Sequence, residues 1–173
     1  MPLNRNKNSD TIIKIYSISV IAILVAVDQL IKYVVDLYLK PVYSVPVIKH
    51  ILQFSYYEND GAMMGMMSGK IVIMTVLALI CLGAITFVVF SGKVRFGVDY
   101  CCIVLMMSGG LGNIIDRIFR GYVIDYIEVL FVDFYIFNFA DCLVTCAAIV
   151  MICNQIYEII KENKAKKVMA TDG

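Results

Sequence analysis

The sequence is poor in charged residues: Asp, Glu, Lys and Arg make up 17% of its 173 residues, against about a quarter in an ordinary soluble domain. Proline and glycine are also sparse, with three and eleven copies, which excludes a low-complexity or collagen-like chain. His50 is the only histidine and no Cys-x-x-Cys pair is present, so the usual ligand patterns of a metal site are missing, and we assign no metal and no cofactor. The formal net charge of +1 gives no strong field that would attract nucleic acid, and we expect no nucleic-acid partner.

Apolar residues are abundant instead. They make up 61% of the chain, and the mean hydropathy is +0.82, whereas about 45–50% is usual for a soluble domain. The six cysteines all lie inside apolar runs, where cysteine behaves as a small hydrophobe, so we predict no disulfides. A chain of this length forms one domain, and so much apolar surface predicts that this domain is integral to a membrane.

Four apolar runs have the length of a membrane span, since a helix needs about 20 residues to cross a hydrocarbon core of about 30 Å. The first run could also be a cleaved signal peptide, but no small-residue cleavage pattern follows Val27. We therefore predict a mainly α fold with four transmembrane helices, forming one domain over residues 1–173. The predicted spans are residues 12–35, 71–90, 98–117 and 136–158, with outer loops at 37–69 and 118–135 and a solvated tail at 161–173.

The distribution of Lys and Arg predicts the orientation, because cytoplasmic loops carry an excess of these residues. The two termini and the link between the second and third spans carry nine of them, and the two longer loops carry four. We expect both termini in the cytoplasm and the longer loops outside. The nine are Arg5, Lys7, Lys14, Lys93, Arg95, Lys161, Lys164, Lys166 and Lys167, and the four are Lys40, Lys49, Lys70 and Arg120.

The two outer loops contain strand-forming runs. The first loop is too long for a structureless connection, and its residues 48–57 are rich in strand formers. Residues 122–132 form a second run of this kind. These runs predict a small β-sheet at the outer membrane face.

Several ionisable residues fall at membrane depth, where each is a functional-site hypothesis because burying a charge there is costly. Asp28 and Lys32 are four residues apart, which favours an intrahelical ion pair with a structural role. Asp116 and Arg117 are neighbours and cannot face each other on a helix, so structural and substrate-contact roles both remain open. The predicted topology brings these residues to the outward ends of the spans, together with Asn59, Asn113 and Asn138.

Asp125 and Asp141 lack a basic residue within four positions, and both are expected at the apolar boundary. Two carboxyl groups that share a site cannot both ionise easily. Such a pair can hold one proton, so that one member acts as general base on a water while the other acts as acid. The same residues would also suit a proton relay.

The polar residues lie in short motifs that resemble the bacterial lipoprotein signal peptidases, also called signal peptidase II. The resemblance covers about residues 12–160, with the motifs in the family's order and spacing. The motifs are Asp-Gln-Leu-Ile-Lys at 28–32, Asn-Asp-Gly-Ala at 59–62, Gly-Leu-Gly-Asn-Ile-Ile-Asp-Arg at 110–117, Val-Ile-Asp-Tyr at 123–126 and Phe-Asn-Phe-Ala-Asp at 137–141.

This resemblance implies an aspartyl endopeptidase of the bacterial inner membrane, with its active site at the outer face. It implies cleavage of prolipoprotein signal peptides just before a diacylglyceryl-modified cysteine, without a metal. By the family's pattern, Asp125 and Asp141 are the catalytic pair. The substrate-contacting positions are Asn59, Gly61, Asn113, Arg117 and Asn138, and the structural ones are Asp28, Lys32 and Asp116.

Two positions depart from the family's usual pattern. Met63-Met64 stands where a bulky aromatic residue commonly follows Gly-Ala, so it is in doubt how the outer loop covers the substrate. Gly110 stands where alanine is common. We expect a lipid-modified prolipoprotein and membrane lipid as partners, and a monomer. The alternative is a small proton-coupled membrane transporter or subunit that uses the same carboxylates as a relay, which predicts carboxylates along the whole membrane depth. Here only Asp99 lies at the inward end of the third span.

Overall fold

A computed structural model describes residues 7–61, 71–91, 94, 96–132 and 134–171. By length and composition, four of its helices are able to cross a membrane. The predicted fold, mainly helical with four transmembrane helices and a small sheet, is confirmed. The elements are α1 (Lys7–Tyr38), β1 (Ser44–Ile48), β2 (Leu52–Asn59), α2 (Ile71–Phe90), α3 (Val98–Phe119), β3 (Val123–Val129) and α4 (Phe139–Thr171).

Helix α3 is the centre of the bundle and packs against α1, α2 and α4. Two of its glycines permit this packing. A Cβ at Gly109 would overlap the backbone carbonyl of Ala140 on α4, and a Cβ at Gly112 would overlap the Asp28 carboxylate on α1. Small residues at such contacts let transmembrane helices approach closely. The second half of α3 therefore holds α1 and α4 close to it.

The outward faces of the helices are apolar. Leu30, Val72 and Phe87 are 62%, 71% and 69% exposed, an arrangement suited to lipid tails, which are as apolar as these side chains. The six cysteines are free thiols on α2, α3 and α4.

The three strands form one antiparallel sheet in the order β1-β2-β3. Gly121, with φ of 80°, lies in the turn between α3 and β3. Buried Leu39, Ile124 and Tyr126 pack the sheet against the C-terminal end of α1. The sheet therefore lies over the ends of the helices to which most of the polar motifs belong.

The run at residues 48–57, which the sequence suggested as a single strand-forming segment, is divided between two strands. A turn at residues 49–51 separates β1 from β2, and His50 at its centre has φ of 61°. A bulge between Phe54 and Tyr57 in the pairing with β3 then breaks the alternation of side chains. The composition did not reveal the turn because the residues on both sides of it are strand formers.

The helix boundaries also differ from those predicted. Helix α4 begins at Phe139 rather than at residue 136, because Phe137 pairs with Ile127 in an isolated β-bridge. It then continues through residues predicted as a solvated tail, as far as Thr171, where Lys and Glu are good helix formers. Helices α1 and α3 also extend beyond the predicted limits, to Lys7–Tyr38 and Val98–Phe119.

Candidate active site

Asp125 lies in the middle of β3 and is 2% exposed. Its Oδ2 accepts a hydrogen bond from Asn59 Nδ2 at 2.8 Å, and its Oδ1 accepts one from Asn138 Nδ2 at 2.6 Å. Burial raises the pKa of Asp125 to about 7; the hydrogen bond from Asn59 opposes this rise, and the negative charge of Asp141 adds to it. This carboxyl group therefore changes its protonation state near neutral pH.

Asp141 lies in the first turn of α4, and Asn138 immediately precedes the helix. The backbone N–H of Asp141 donates to Asn138 Oδ1 at 3.0 Å, and the backbone N–H of Asn138 donates to Asp141 Oδ2 at 3.1 Å. This reciprocal pair is a capping box, with Asn as the N-cap residue and Asp three positions later. Local helix-capping chemistry thus fixes one oxygen of Asp141.

Asn138 connects the two aspartates. Its side chain is fully buried; its Oδ1 caps Asp141, while its Nδ2 reaches Asp125 Oδ1 at 2.6 Å and Asn113 Oδ1 at 3.1 Å. A carboxamide has one acceptor oxygen and two N–H donors, and both ends of this one are used. One amide therefore links the strand that carries Asp125 to the helix that carries Asp141.

Asn113 on α3 supports the second oxygen of Asp141. Its Nδ2 donates to Asp141 Oδ1 at 2.8 Å, and its Oδ1 accepts from Lys32 Nζ at 2.9 Å. Lys32 has no exposed side-chain surface, and its ammonium also contacts Asp28 Oδ2 and Asp116 Oδ2, each at 2.9 Å. A buried ammonium with three oxygen partners has its three N–H groups satisfied.

Asp116 anchors the end of α3 to the sheet. Its Oδ2 accepts from the backbone N–H of Ile124 at 3.3 Å, and its Oδ1 contacts Arg120 Nε at 3.3 Å. Gln29 Nε2 lies between the two buried carboxylates, at 3.2 Å from Asp28 Oδ2 and 3.3 Å from Asp116 Oδ1. The charged and amide groups of Asp28, Gln29, Lys32 and Asp116 therefore join α1 and α3 to each other and, through the backbone of Ile124, to β3.

A cleft of about 330 Å³ adjoins the aspartate pair. One wall is polar and the other is formed mainly by apolar side chains of α2, α4 and the segment before α4. Arg117 is half-buried in the polar wall; within the described part of the chain, its Nε is one of two buried polar side-chain atoms without a hydrogen-bond partner, the other being Asp28 Oδ1. The lining residues are Asn59, Ala78, Gly110, Asn113, Arg117, Val123, Asp125, Tyr135, Ile136, Asp141, Val144 and Thr145.

The sequence is similar to those of proteins whose family is known. A family model described as signal peptidase (SPase) II matches residues 20–157. The chain belongs to the signal peptidase II family. The lipoprotein signal peptidase of Fusobacterium nucleatum is 35% identical over 78% of this chain and 82% of that protein. Those of Clostridium acetobutylicum and Staphylococcus aureus are each 33% identical, over 85% and 87% of this chain and 96% and 91% of theirs.

Solved structures agree with this membership. Two bacterial membrane enzymes determined by the in meso method are each 32% identical to this chain, with TM-scores of 0.76 and 0.72. The matches cover 83% and 81% of this chain, and 89% and 92% of the solved chains. As a member of the signal peptidase II family, the protein is a multi-pass membrane peptidase of bacterial type.

The sequence-predicted site residues of this signal peptidase II member come together in one network. Asp28 and Lys32 form the predicted i,i+4 ion pair, at 2.9 Å. The backbone N–H of Gly61 donates to Asn59 Oδ1 at 3.0 Å, so Gly61 contacts a residue that lines the cleft. Met63 and Met64 lie outside the described residues.

Two further residues contact the network, although the sequence assigned no role to them. Gln29 bridges the buried carboxylates, and Tyr126 Oη accepts a hydrogen bond from the backbone N–H of Phe139 at 3.2 Å, at the start of α4. Gln29 had a usable signal, because it is an amide inside an apolar run between Asp28 and Lys32. Tyr126 gave no signal in the sequence that it contacts the site, because tyrosine is common in strand-forming runs.

Proposed function

We propose that this signal peptidase II member removes signal peptides from prolipoproteins, with Asp125 and Asp141 acting together on one water molecule. The observation that carries the proposal is that both carboxyl groups line one cleft and are linked through Asn138. The relatives are named lipoprotein signal peptidases, and the substrate class is taken from that name.

The chemistry needs one proton shared between the two aspartates. The ionised carboxylate takes a proton from water as the oxygen attacks the scissile carbonyl carbon, and the protonated partner donates its proton to the departing amide nitrogen. The C–N bond breaks, leaving a new carboxyl group and a new amine. A pKa of about 7 for Asp125 supports such a pair, because a carboxyl group then retains a proton at neutral pH.

The walls of the cleft suit a signal peptide that enters from the bilayer. Ala78 of α2 and Val144 of α4 form part of the apolar wall, and α3 lies between these two helices. The apolar helix of the signal peptide and the acyl chains of the modified cysteine remain in hydrocarbon while the scissile bond between them reaches the aspartates. Such a substrate is cut just before the cysteine that carries diacylglycerol.

Arg117 and Asn59 contact the substrate backbone in this proposal. Arg117 lines the cleft, and a guanidinium carries five N–H donors in a planar fork, which suits it to hold a peptide carbonyl. Asn59 is the last residue of β2 and Gly61 follows it two positions later, where its backbone N–H donates to Asn59 Oδ1. Asp28, Lys32 and Asp116 hold the helices behind the pair.

The enzyme lies in the inner membrane with both termini in the cytoplasm and the aspartate pair at the outer face. The excess of Lys and Arg at the termini supports this orientation. The described residues that line the cleft come from α2, α3, α4, the strands and the segment before α4 of one chain, which supports the proposal that one domain over residues 1–173 acts as a monomer.

The test is cleavage of a diacylglyceryl-modified prolipoprotein by the purified enzyme in detergent, with EDTA present. Asp125→Asn and Asp141→Asn are each expected to reduce kcat by at least about a thousandfold, because each removes a proton-transfer group. Asp99→Asn is the matched control: it makes the same change at the opposite end of α3, where Asp99 accepts a hydrogen bond from Asn154 at 2.8 Å.

Thermal unfolding of each variant separates loss of chemistry from loss of fold. Full activity of either dyad variant would contradict the aspartate mechanism. Equal cleavage of substrate with an unmodified cysteine would contradict the proposed substrate class. Failure of the wild type to cut any prolipoprotein would contradict the proposed function as a whole.

A further inference from the structure

Lys32 makes one contact that charge neutralisation does not require. Its ammonium has Asp28 and Asp116 at 2.9 Å, and Arg120 adds a second positive charge beside Asp116 at 3.3 Å. Two cations and two carboxylates already balance. The third N–H of Lys32 nevertheless donates to a neutral group, Asn113 Oδ1, at 2.9 Å.

This contact determines which way the Asn113 carboxamide points. The oxygen and nitrogen of a carboxamide have nearly the same shape and exchange places by a rotation. An ammonium has only donors, so it accepts nothing but the oxygen as its neighbour. With the oxygen held by Lys32, the nitrogen must face Asp141 Oδ1, at 2.8 Å. The reversed amide would set donor against donor at Lys32 and acceptor against acceptor at Asp141.

The orientation of Asn113 in turn affects Asn138. Asn138 Nδ2 donates to Asn113 Oδ1 at 3.1 Å and to Asp125 Oδ1 at 2.6 Å. A reversed Asn113 would present its NH₂ group to that of Asn138. Lys32 therefore determines which group donates and which accepts along the chain of hydrogen bonds that runs through Asn113 and Asn138 to both aspartates.

We propose that Lys32 is a positioning residue: by fixing the orientation of the Asn113 carboxamide, it sets the hydrogen-bond donors that Asp141 and Asp125 receive. Lys32 is fully buried and is absent from the described residues that line the cleft, so it acts through Asn113 and without touching the substrate. This inference rests on the proposed aspartate mechanism.

The test is a double-mutant cycle between Lys32→Met and Asn113→Ala in full-length enzyme that carries Asp28→Asn, so that fewer buried carboxylates lose their cation. We expect Lys32→Met to lower kcat roughly tenfold or more with Asn113 present, and to leave KM within about twofold because Lys32 does not line the cleft. With Asn113→Ala there is no amide to orient, so Lys32→Met should then have no further effect on kcat taken from the pH-independent plateau, where the direct effect of the Lys32 charge on the pKa of Asp125 does not enter.

Lys32→Gln provides a second comparison that does not depend on the folding of Lys32→Met. A glutamine amide presents either a donor or an acceptor, so it only partly fixes Asn113, and kcat should fall about threefold with Asn113 present and stay unchanged with Asn113→Ala. Thermal unfolding of every variant identifies effects on the fold alone.

The outcomes distinguish this inference from the proposed function. If the effects of Lys32 and Asn113 substitutions multiply, or if Lys32 substitutions leave kcat at the level of the Asp28→Asn parent, the positioning role is overturned while the dyad stands. If Asp125→Asn and Asp141→Asn retain activity in the same assay, both the aspartate mechanism and the inference are overturned.

Discussion

At the scale of single residues, Asn138 combines two duties that are usually separate. As an N-cap it satisfies a backbone N–H at the start of α4, as many helices require. Its side-chain nitrogen simultaneously reaches Asp125 on another element. Because the capping partner three positions later is Asp141, the same geometry that begins the helix also brings the two carboxylates together.

These duties can be separated by substitution. Asn138→Ser retains a good capping oxygen but loses the donor to Asp125, so we expect a large loss of kcat and a smaller loss of thermal stability than in Asn138→Ala. Asn138→Ala loses both functions, and should cost about 1 kcal/mol more of unfolding free energy than Asn138→Ser. Cleavage assays and thermal unfolding of the two variants check this. Equal stability of both would show that the cap contributes nothing.

The burial of Asp125 predicts the pH dependence of cleavage. Its pKa is raised to about 7, so the aspartate pair loses its shared proton as pH rises through that value, and kcat/KM should decline on the alkaline side with a midpoint near pH 7. The hydrogen bond from Asn59 favours the ionised form and lowers this pKa. Asn59→Ala should therefore move the alkaline midpoint upward by about one pH unit.

The measurement is kcat/KM as a function of pH for both enzymes, at constant ionic strength. The midpoint is compared rather than the amplitude, because Asn59 also lines the cleft. An alkaline midpoint that is the same in both enzymes, or lower in the variant, would contradict the role of Asn59 as a donor to the Asp125 carboxylate.

At the scale of elements, the approach of α3 to α4 determines the distance between Asn113 and Asp141. Gly109 allows that approach because a Cβ there would overlap the Ala140 carbonyl. Gly109→Ala should push the helices apart, lengthen the hydrogen bond from Asn113 to Asp141, and lower kcat at least tenfold together with the thermal midpoint.

Gly83→Ala is the matched control for this change. A Cβ at Gly83 on α2 meets no atom within 4 Å, so the added methyl should leave activity unchanged and stabilise the helix slightly. Activity assays and unfolding curves of the two alanine variants test the point. A Gly109→Ala enzyme as active as the Gly83→Ala enzyme would show that the helix contact is not needed.

At the scale of the whole molecule, the cluster of polar groups lies at one end of the helix bundle. The cluster involves the C-terminal ends of α1 and α3, the N-terminal end of α4, and the sheet. A proton relay across the bilayer would instead need carboxylates along the depth. The arrangement suits chemistry at one membrane surface, and the charge asymmetry of the sequence predicts that this surface is the outer one.

Cysteine labelling tests the orientation. Lys49→Cys in the turn between β1 and β2 should react with a membrane-impermeant maleimide in intact cells, and Lys164→Cys near the end of α4 should react only after permeabilisation. Both side chains are exposed. The unsubstituted protein measures the background from its six cysteines. Labelling of Lys164→Cys in intact cells would reverse the proposed topology.

Much of this architecture could be predicted from the sequence. Uncharged runs such as residues 71–90 predict membrane spans because they are long enough to cross the hydrocarbon core and carry no charge to bury there. Because successive spans cross the membrane in opposite directions, the polar motifs are predicted to meet at the same membrane face. The turn at His50 could not be predicted, because the residues around it form strands equally well. The start of α4 was also not predicted, because Phe137 pairs with Ile127 of β3 instead of joining the helix, and this pairing forms only in the folded chain.

Composition and the lengths of the apolar runs predicted the spans, the presence of a small sheet, and the set of polar residues at one end of the bundle. These follow from the cost of placing charge and unpaired backbone in lipid, which depends on composition and length. Which oxygen meets which donor depends instead on the packed fold, in which Lys32 donates to Asn113, Asn113 to Asp141, and Asn138 to Asp125. Hydrogen bonds are short and directional, so their pairing depends on how closely α1, α3, α4 and β3 approach, and that approach exists only in the packed molecule.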